Sequence, residues 1–341
     1  MPELDFTAAV AAVTEEDDPT TLFGPRAGDG SAARKRYLAL AKALHPDTVG
    51  DSEKTTANRA FTLLGRRWRE HRDDTRGTVT IGGTTHRLSR NPRMDDIAAC
   101  YRLYDDAGAT GDELRLARDP ADNDLIRAEA DALDRIAAEG DPKFAAYAPP
   151  RAKTIRIKDD ATGIERCGNV LPRPDGFVSL RDVADGYPDG LHPKDAAWMW
   201  RRLLVAIGQA HRCGIVHGAV IPEHVLIHPE QHGLLLTDWY YAVPAGRRLS
   251  AVAAHTATAY PAEVFNRRPV AASLDIFMAT RCMTGLIGSR IPAELERFAR
   301  GCTLGNARAR PRDAWALLAE LDDVLHRLWG PRVFRPFSMP S

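Results

Sequence analysis

Between residues 31 and 72 the chain carries two apolar stripes at helical spacing. Tyr37, Leu40, Ala41 and Leu44 recur at i, i+3, i+4 and i+7, the period of a helix that buries one face. Arg34, Lys35, Arg36 and Lys42 fall largely off that stripe and are expected to face water. Pro46 lacks an amide hydrogen and disfavours a helical residue before it, so this helix should end near His45. After a short polar loop, Thr48 to Ser52, a second stripe runs through Ala57, Ala60, Phe61, Leu64 and Trp68. Two such helices on a short connection pack as an antiparallel pair. Phe6 to Val13 is a third, shorter helical candidate upstream.

Past a polar stretch, Glu70 to Gly77, the period changes. Val79 to Ile81 and Thr85 to Leu88 read as strands around Gly82-Gly83, which puts a domain boundary near residue 75. Asp122 to Ile136 reads as a helix after Pro120, and Lys153 to Lys158 and Cys167 to Leu171 as strands. Lys194 to Cys213 reads as a long helix with Trp200, Leu203, Leu204 and Ile207 on one face. Val225 to Ile227 and Leu234 to Leu236 are apolar strands joined by a turn with Pro229 and Gly233, and Asp238 follows. Strands followed by helices indicate an α+β domain or two lobes. The expected organisation is an all-α helical hairpin module at 1–75 and an α+β bilobal module at 76–329, with a tail at 330–341. The small lobe would cover about 76–172 and the large lobe about 173–329.

Composition narrows the function classes. The 341 residues carry 46 Lys+Arg against 46 Asp+Glu, so no global charge draws the chain to nucleic acid or a membrane. No apolar run approaches the roughly 20 residues of a membrane span. The first residues, Met-Pro-Glu-Leu-Asp, hold no signal-peptide core. The five cysteines stand far apart without metal-ligand spacing, which fits a reducing cytoplasm. The Ala/Arg/Asp-rich composition has the look of a high-GC bacterial or phage source.

Locally, charge is not even. Residues 1–30 hold seven acids against one base, and residues 31–72 hold ten Lys/Arg against four acids. Clustered charge of one sign steers encounter with an oppositely charged partner. Nucleic acid is a poor candidate, since no aromatics interleave the basic face and no finger or recognition helix is present. His45-Pro46-Asp47 follows this basic helix directly. The arrangement resembles the J-domain of DnaJ-like co-chaperones over about residues 1–72. The resemblance implies that His45, Pro46 and Asp47, with Arg34, Lys35, Arg36 and Lys42, dock on a DnaK-type chaperone and stimulate its ATP hydrolysis. The stretch Gly24 to Ser31 departs from the simplest family pattern. A plain helical hairpin with a solvated basic face is the alternative.

The second module resembles the protein-kinase fold. Ile215-Val-His-Gly-Ala-Val-Ile-Pro-Glu-His-Val-Leu-Ile227 stands where that family carries His-Arg-Asp-Leu-Lys-Pro-Glu-Asn and an apolar strand. Asp238-Trp239-Tyr240 stands in the place of Asp-Phe-Gly, and Tyr260-Pro-Ala-Glu263 in that of Ala-Pro-Glu. Asp275 corresponds to a buried aspartate of the following helix, and Arg310 to the arginine that pairs with Glu263.

The chemistry carries over badly. The family's proton-accepting aspartate and metal-holding asparagine are Ala219 and His224 here, and the loop lysine is Ile221. The phosphate-holding strand lysine is Arg115, with Glu129 as its helix partner. Arg's planar fork does not replace the point charge of a Lys at a phosphate. Ser89 to Ala98, in the place of the glycine-rich loop, has no glycine, and Asp95 and Asp96 would repel phosphates. Asp238 is the surviving candidate for a metal ligand. A general base alone is worth roughly 10²–10⁴ in rate, so these losses together describe a pseudokinase. His217 and His224 are the titratable groups nearest the missing base, and structural hydrogen bonding is the favoured role for both.

The expected function is therefore a cytoplasmic DnaJ-like co-chaperone or adaptor. Its partners would be a DnaK-type chaperone and a client protein, with no nucleic acid and no membrane. No cofactor is required; should the kinase-like cleft hold one, the resemblance implies ATP and Mg²⁺ at Arg115, Glu129 and Asp238. The rival is a divergent serine/threonine protein kinase localised by its N-terminal module. Trp329, Phe334 and Phe337 of the C-terminal segment are expected to bury against the domain or a partner, with packing on the domain favoured.

Overall fold

A computed structural model describes residues 5–16, 19–24, 31–50, 52–72, 75–158 and 163–340. Most of the Gly24–Ser31 stretch lies outside the described residues. The chain divides into two compact units, one of residues 1–92 and 101–110, the other of residues 93–100 and 111–340.

In the first unit, α1 (Phe6–Glu15) is capped by Asp5, whose carboxylate accepts from the Ala8 amide at 2.7 Å. A short α2 (Pro19–Phe23) leads to α3 (Ser31–Leu44) and α4 (Lys54–Arg72). The apolar stripes read from the sequence meet as expected: Leu40 and Leu44 of α3 pack with Ala60 and Leu64 of α4 and with Ala9 and Val13 of α1. Tyr37 stacks on Trp68 at 4.6 Å, and Phe23 meets the Trp68 ring edge-on at 5.1 Å. β1 (Thr75–Ile81) and β2 (Thr84–Ser89) form a hairpin. Its two-residue turn needs positive φ at both positions, and Gly82 and Gly83 supply it at 60° and 88°.

In the second unit β3 (Arg93–Met94) pairs with the start of β4 (Ala98–Tyr104). β5 (Ala109–Ala117) pairs with β7 (Glu165–Pro172), which pairs with β6 (Lys153–Lys158), all antiparallel. Helix α5 (Asn123–Glu139) lies against β7. Its buried face carries Leu125, Ile126, Leu133 and Ile136, and one charged residue, Glu129. β8 (Val178–Ser179) and α6 (Leu180–Gly186) lead to the long α7 (Pro193–Arg212). Trp200, Leu203, Leu204 and Ile207 of α7 are all fully buried.

Beyond α7, β9 (Ile215–Val216) precedes the hairpin of β10 (Val225–His228) and β11 (Gly233–Leu236). The hairpin register sets Val225 opposite Leu236, and the Thr237 amide donates to the His224 carbonyl at 2.9 Å. His224 and Asp238 are thus brought side by side although 14 positions separate them. β12 (Val243–Pro244) pairs back onto β9. The helices α8 (Ala262–Phe265), α9 (Ala272–Ile287), α10 (Ala293–Cys302) and α11 (Ala314–Trp329) complete the unit.

The tail departs in part from expectation. Phe337 is buried and Trp329 half-buried, but Phe334 is 67% exposed. One face of the Phe334 ring meets His232 at 4.7 Å, and the tail is already held by Phe337 and by the Tyr187 hydroxyl, which donates to the Ser338 carbonyl at 2.7 Å.

Candidate functional site

The first candidate is the turn that follows α3. Helix α3 ends at Leu44, and Pro46–Thr48 forms one 3-10 turn. His45 caps it, its Nδ1 accepting from the Asp47 amide at 3.3 Å. The Thr48 hydroxyl donates back to the carbonyls of His45 at 2.8 Å and Lys42 at 3.2 Å. The His45 ring stands edge-on to Phe61 of α4 at 5.5 Å, which fixes its direction. The Asp47 side chain is 87% exposed and that of His45 48% exposed. Arg34, Lys35 and Lys42 are exposed; Arg36 is half-buried. On a 3.6-residue wheel Arg34, Leu38, Lys42 and Lys35 fall within about 100° of one another, and Arg36 falls about 100° beyond. Leu38, 54% exposed, is an apolar residue within this basic face. The sequence reading missed it because it lies off the buried stripe.

The second candidate is the cleft of the second unit, where Arg115 is the hub. Its Nε donates to Glu113 Oε1 at 2.8 Å. Its Nη1 donates to Asp238 Oδ1 at 2.7 Å and to Glu129 Oε1 at 3.2 Å, and its Nη2 to Thr237 Oγ1 at 3.1 Å. Arg115, Glu129 and Asp238 are all buried. Asn169 donates to the other oxygen of Glu129 at 2.9 Å.

Three carboxylates thus surround one guanidinium, and Asp238 and Glu129 are pushed in opposite directions. Burial alone would raise Asp238, but Arg115, then His224 and Arg93, outweigh it and hold this carboxyl below its ordinary value. Burial pushes Glu129 up to about 7, although Arg115 and Asn169 favour its ionised form. Burial disfavours the charge on Arg115, yet Tyr240 and the surrounding carboxylates raise its pKa well above the ordinary value.

The segment in the place of a glycine-rich loop is tied down. Asp95 accepts from the amides of Ile97 and Ala98 at 2.9 and 2.5 Å, an Asx-type turn that needs no glycine. Its second oxygen accepts from the Tyr240 hydroxyl at 3.3 Å. The Tyr241 hydroxyl donates to Asp96 at 3.0 Å, and His255 stands 3.1 Å from the same carboxylate. Burial raises both tyrosines far above their ordinary pKa, so they remain donors.

The loop read as a degenerate catalytic segment is a hydrogen-bonded scaffold. Asp275 accepts from the amides of His217 and Gly218 at 2.8 and 2.9 Å and bonds His211 at 2.9 Å. His217 Nδ1 accepts from the Ala219 amide, so its Nε2 carries the proton and donates to the Thr237 carbonyl at 2.9 Å. Burial, against the pull of Asp275, lowers the His217 pKa to about 4. His224 Nδ1 donates to the Ala219 carbonyl at 2.9 Å, and its Nε2 lies 3.7 Å from Asp238. Gly218 has φ of 78°, and a Cβ there would fall 2.6 Å from the Tyr241 carbonyl oxygen. Arg310 forks onto both oxygens of Glu263, joining two distant segments as expected. Among the described residues no group of three or more His, Cys, Asp or Glu side chains is arranged to hold a metal ion.

No family model matches the sequence. Among solved structures the chain is similar to the crystal structure of the BubR1 kinase domain. The likeness covers 75% of this chain and 84% of that one, with a TM-score of 0.57 and 14% identity. The fold of this region is protein-kinase-like. The helical N-terminal region accompanies it, and no helix among the described residues is long and apolar enough to cross a membrane.

Proposed function

We propose that the chain is a cytoplasmic DnaJ-like co-chaperone whose kinase-like module is a binding scaffold. The N-terminal hairpin recruits a DnaK-type chaperone and stimulates its ATPase, while the module holds a client or assembly partner. The observation that carries this reading is the exposed His45-Pro46-Asp47 turn, which closes a helix with Arg34, Lys35 and Lys42 around exposed Leu38. A charged rim around an apolar contact provides electrostatic steering and some desolvation energy on docking.

The cleft supports the second half of the reading. Magnesium-bound nucleotide does not fit the residues present. The guanidinium of Arg115 occupies Asp238, the one candidate ligand, and all the other hydrogen bonds it makes go to the protein's own side chains. The proton-accepting position is Ala219, and His217 and His224 are both committed to backbone carbonyls. We derive no phosphoryl transfer step through this site, and no observation favours the serine/threonine kinase alternative.

The test is steady-state ATP hydrolysis by a DnaK-type chaperone with the full chain added. Stimulation is expected, with loss of it in His45→Gln and an unchanged circular dichroism spectrum. Absence of stimulation where a control J-domain works would remove the proposal.

A further inference from the structure

A second cavity, apart from the cleft, lies in the second unit where α7, α11 and the tail meet. Its volume is about 460 Å³. Lys194, Trp198 and Arg201 line it from α7, spaced i, i+4 and i+7 so that all three share a face. His232 comes from the β10–β11 turn, Trp329 from the end of α11, and Arg332 from the tail.

One part of the lining is aromatic. The Trp198 and His232 rings stack at 4.3 Å and 11°, and His232 meets Phe334 at 4.7 Å. His232 holds this place with φ of 52°, in the left-handed region that few side chains occupy. The Lys194 ammonium sits 5.8 Å from the Trp329 ring centre.

The charge in the cavity is incompletely answered. Arg201 pairs with Asp322, and Arg335 with Asp195 at 2.6 Å. Lys194 and Arg332 have no carboxylate partner among the described residues, while Asp323 stands exposed at the rim. Burial, then Arg332 and Arg202, lower the pKa of Arg201, and burial, then Arg202, lower that of His232 against the pull of Asp195. Cations are crowded here beyond what the local acids compensate.

We propose that this cavity binds a small organic anion built on a flat ring, with the ring on the exposed face of Phe334 beside Trp198 and Trp329, which line the cavity, and the anionic group answered by Arg332 and Lys194. Aromatic carboxylates and aryl phosphates share this chemistry. The site is independent of chaperone docking and of the kinase-like cleft.

The test follows the indole N–H resonances of the six tryptophans in the full chain by heteronuclear NMR. Naphthoate, naphthyl phosphate, naphthol and inorganic phosphate are titrated separately, with signals assigned from Trp198→Phe and Trp329→Phe. The Trp198 and Trp329 signals are expected to move saturably with naphthoate or naphthyl phosphate, and the tighter of the two identifies the anion class. Naphthol and inorganic phosphate should each bind about tenfold more weakly or worse, and Arg332→Ala should lose about tenfold in affinity. Arg332 is exposed, and an unmoved Trp200 signal in Arg332→Ala reports an intact core. No saturable shift at either tryptophan, equal binding of naphthol, unchanged affinity in Arg332→Ala, or a response confined to Trp239 beside the cleft would each overturn the proposal.

Discussion

Arg115 decides the character of the cleft. A lysine at this position would offer one compact charge, whereas the guanidinium fork reaches Glu113, Glu129, Thr237 and Asp238 together. Arg115→Ala would strand buried carboxylates without their counter-charge, and a loss of about 3–5 kcal/mol is expected in urea unfolding of the second unit. Glu129 gives a pH signature. Folded Glu129 keeps its proton up to about 7, while the same carboxyl in the unfolded chain releases it near 4.5. The folded state binds the extra proton across that window, so this contribution to stability falls as pH rises through it. His217, neutral down to about 4 when folded and protonating near 6.5 when unfolded, acts in the opposite direction. Wild type and Glu129→Gln share His217. Their difference in melting temperature should therefore change between about pH 4.5 and 7, with wild type losing ground as pH rises. A constant difference would mean that Glu129 does not titrate there. The Arg115–Glu129 pair was legible in the sequence. Asp238 as the third member was not, because the contact spans 123 positions and depends on the β10–β11 register. Nor were the Tyr240–Asp95 and Tyr241–Asp96 bonds: acids where glycines were expected were visible, but nothing local reveals which hydroxyls they meet.

At the scale of elements, periodicity carried most of the fold. The stripes through Leu40, Leu44, Ala60 and Leu64 gave the hairpin, and Pro46 gave the end of α3 at Leu44. Leu64 is 1% exposed at the centre of this core, so Leu64→Ala should cost about 2–5 kcal/mol in the stability of the first unit. Native-state hydrogen–deuterium exchange of the α3 and α4 amides in the full chain measures it. Leu38→Ala removes an exposed side chain and should leave stability within about 0.5 kcal/mol while weakening the proposed docking. The tail was less legible. Hydrophobicity alone predicted burial of Phe334, but a single partner, His232, leaves most of that ring in water.

For the whole molecule, a kinase-like fold is held by Glu263 with Arg310 and by Asp275 with the His217 loop, beside a cleft filled by its own side chains. A single-site ligand at about 100 Kd stabilises its protein by roughly 2.7 kcal/mol; millimolar ATP with magnesium is expected to leave the melting temperature of the full chain unmoved. The order of motifs made the kinase-like fold legible in the sequence, because each recognisable group occupied a fixed position between apolar strands. What the chain holds elsewhere, such as the cavity beside α11, is assembled from three remote segments and had no local signature. The most direct measurement is hydrogen–deuterium exchange of the full chain with and without a DnaK-type chaperone in its ATP state. Protection is predicted across α3 and the His45-Pro46-Asp47 turn, and its loss in His45→Gln. Protection confined to residues 111–340, or none at all, would contradict the account.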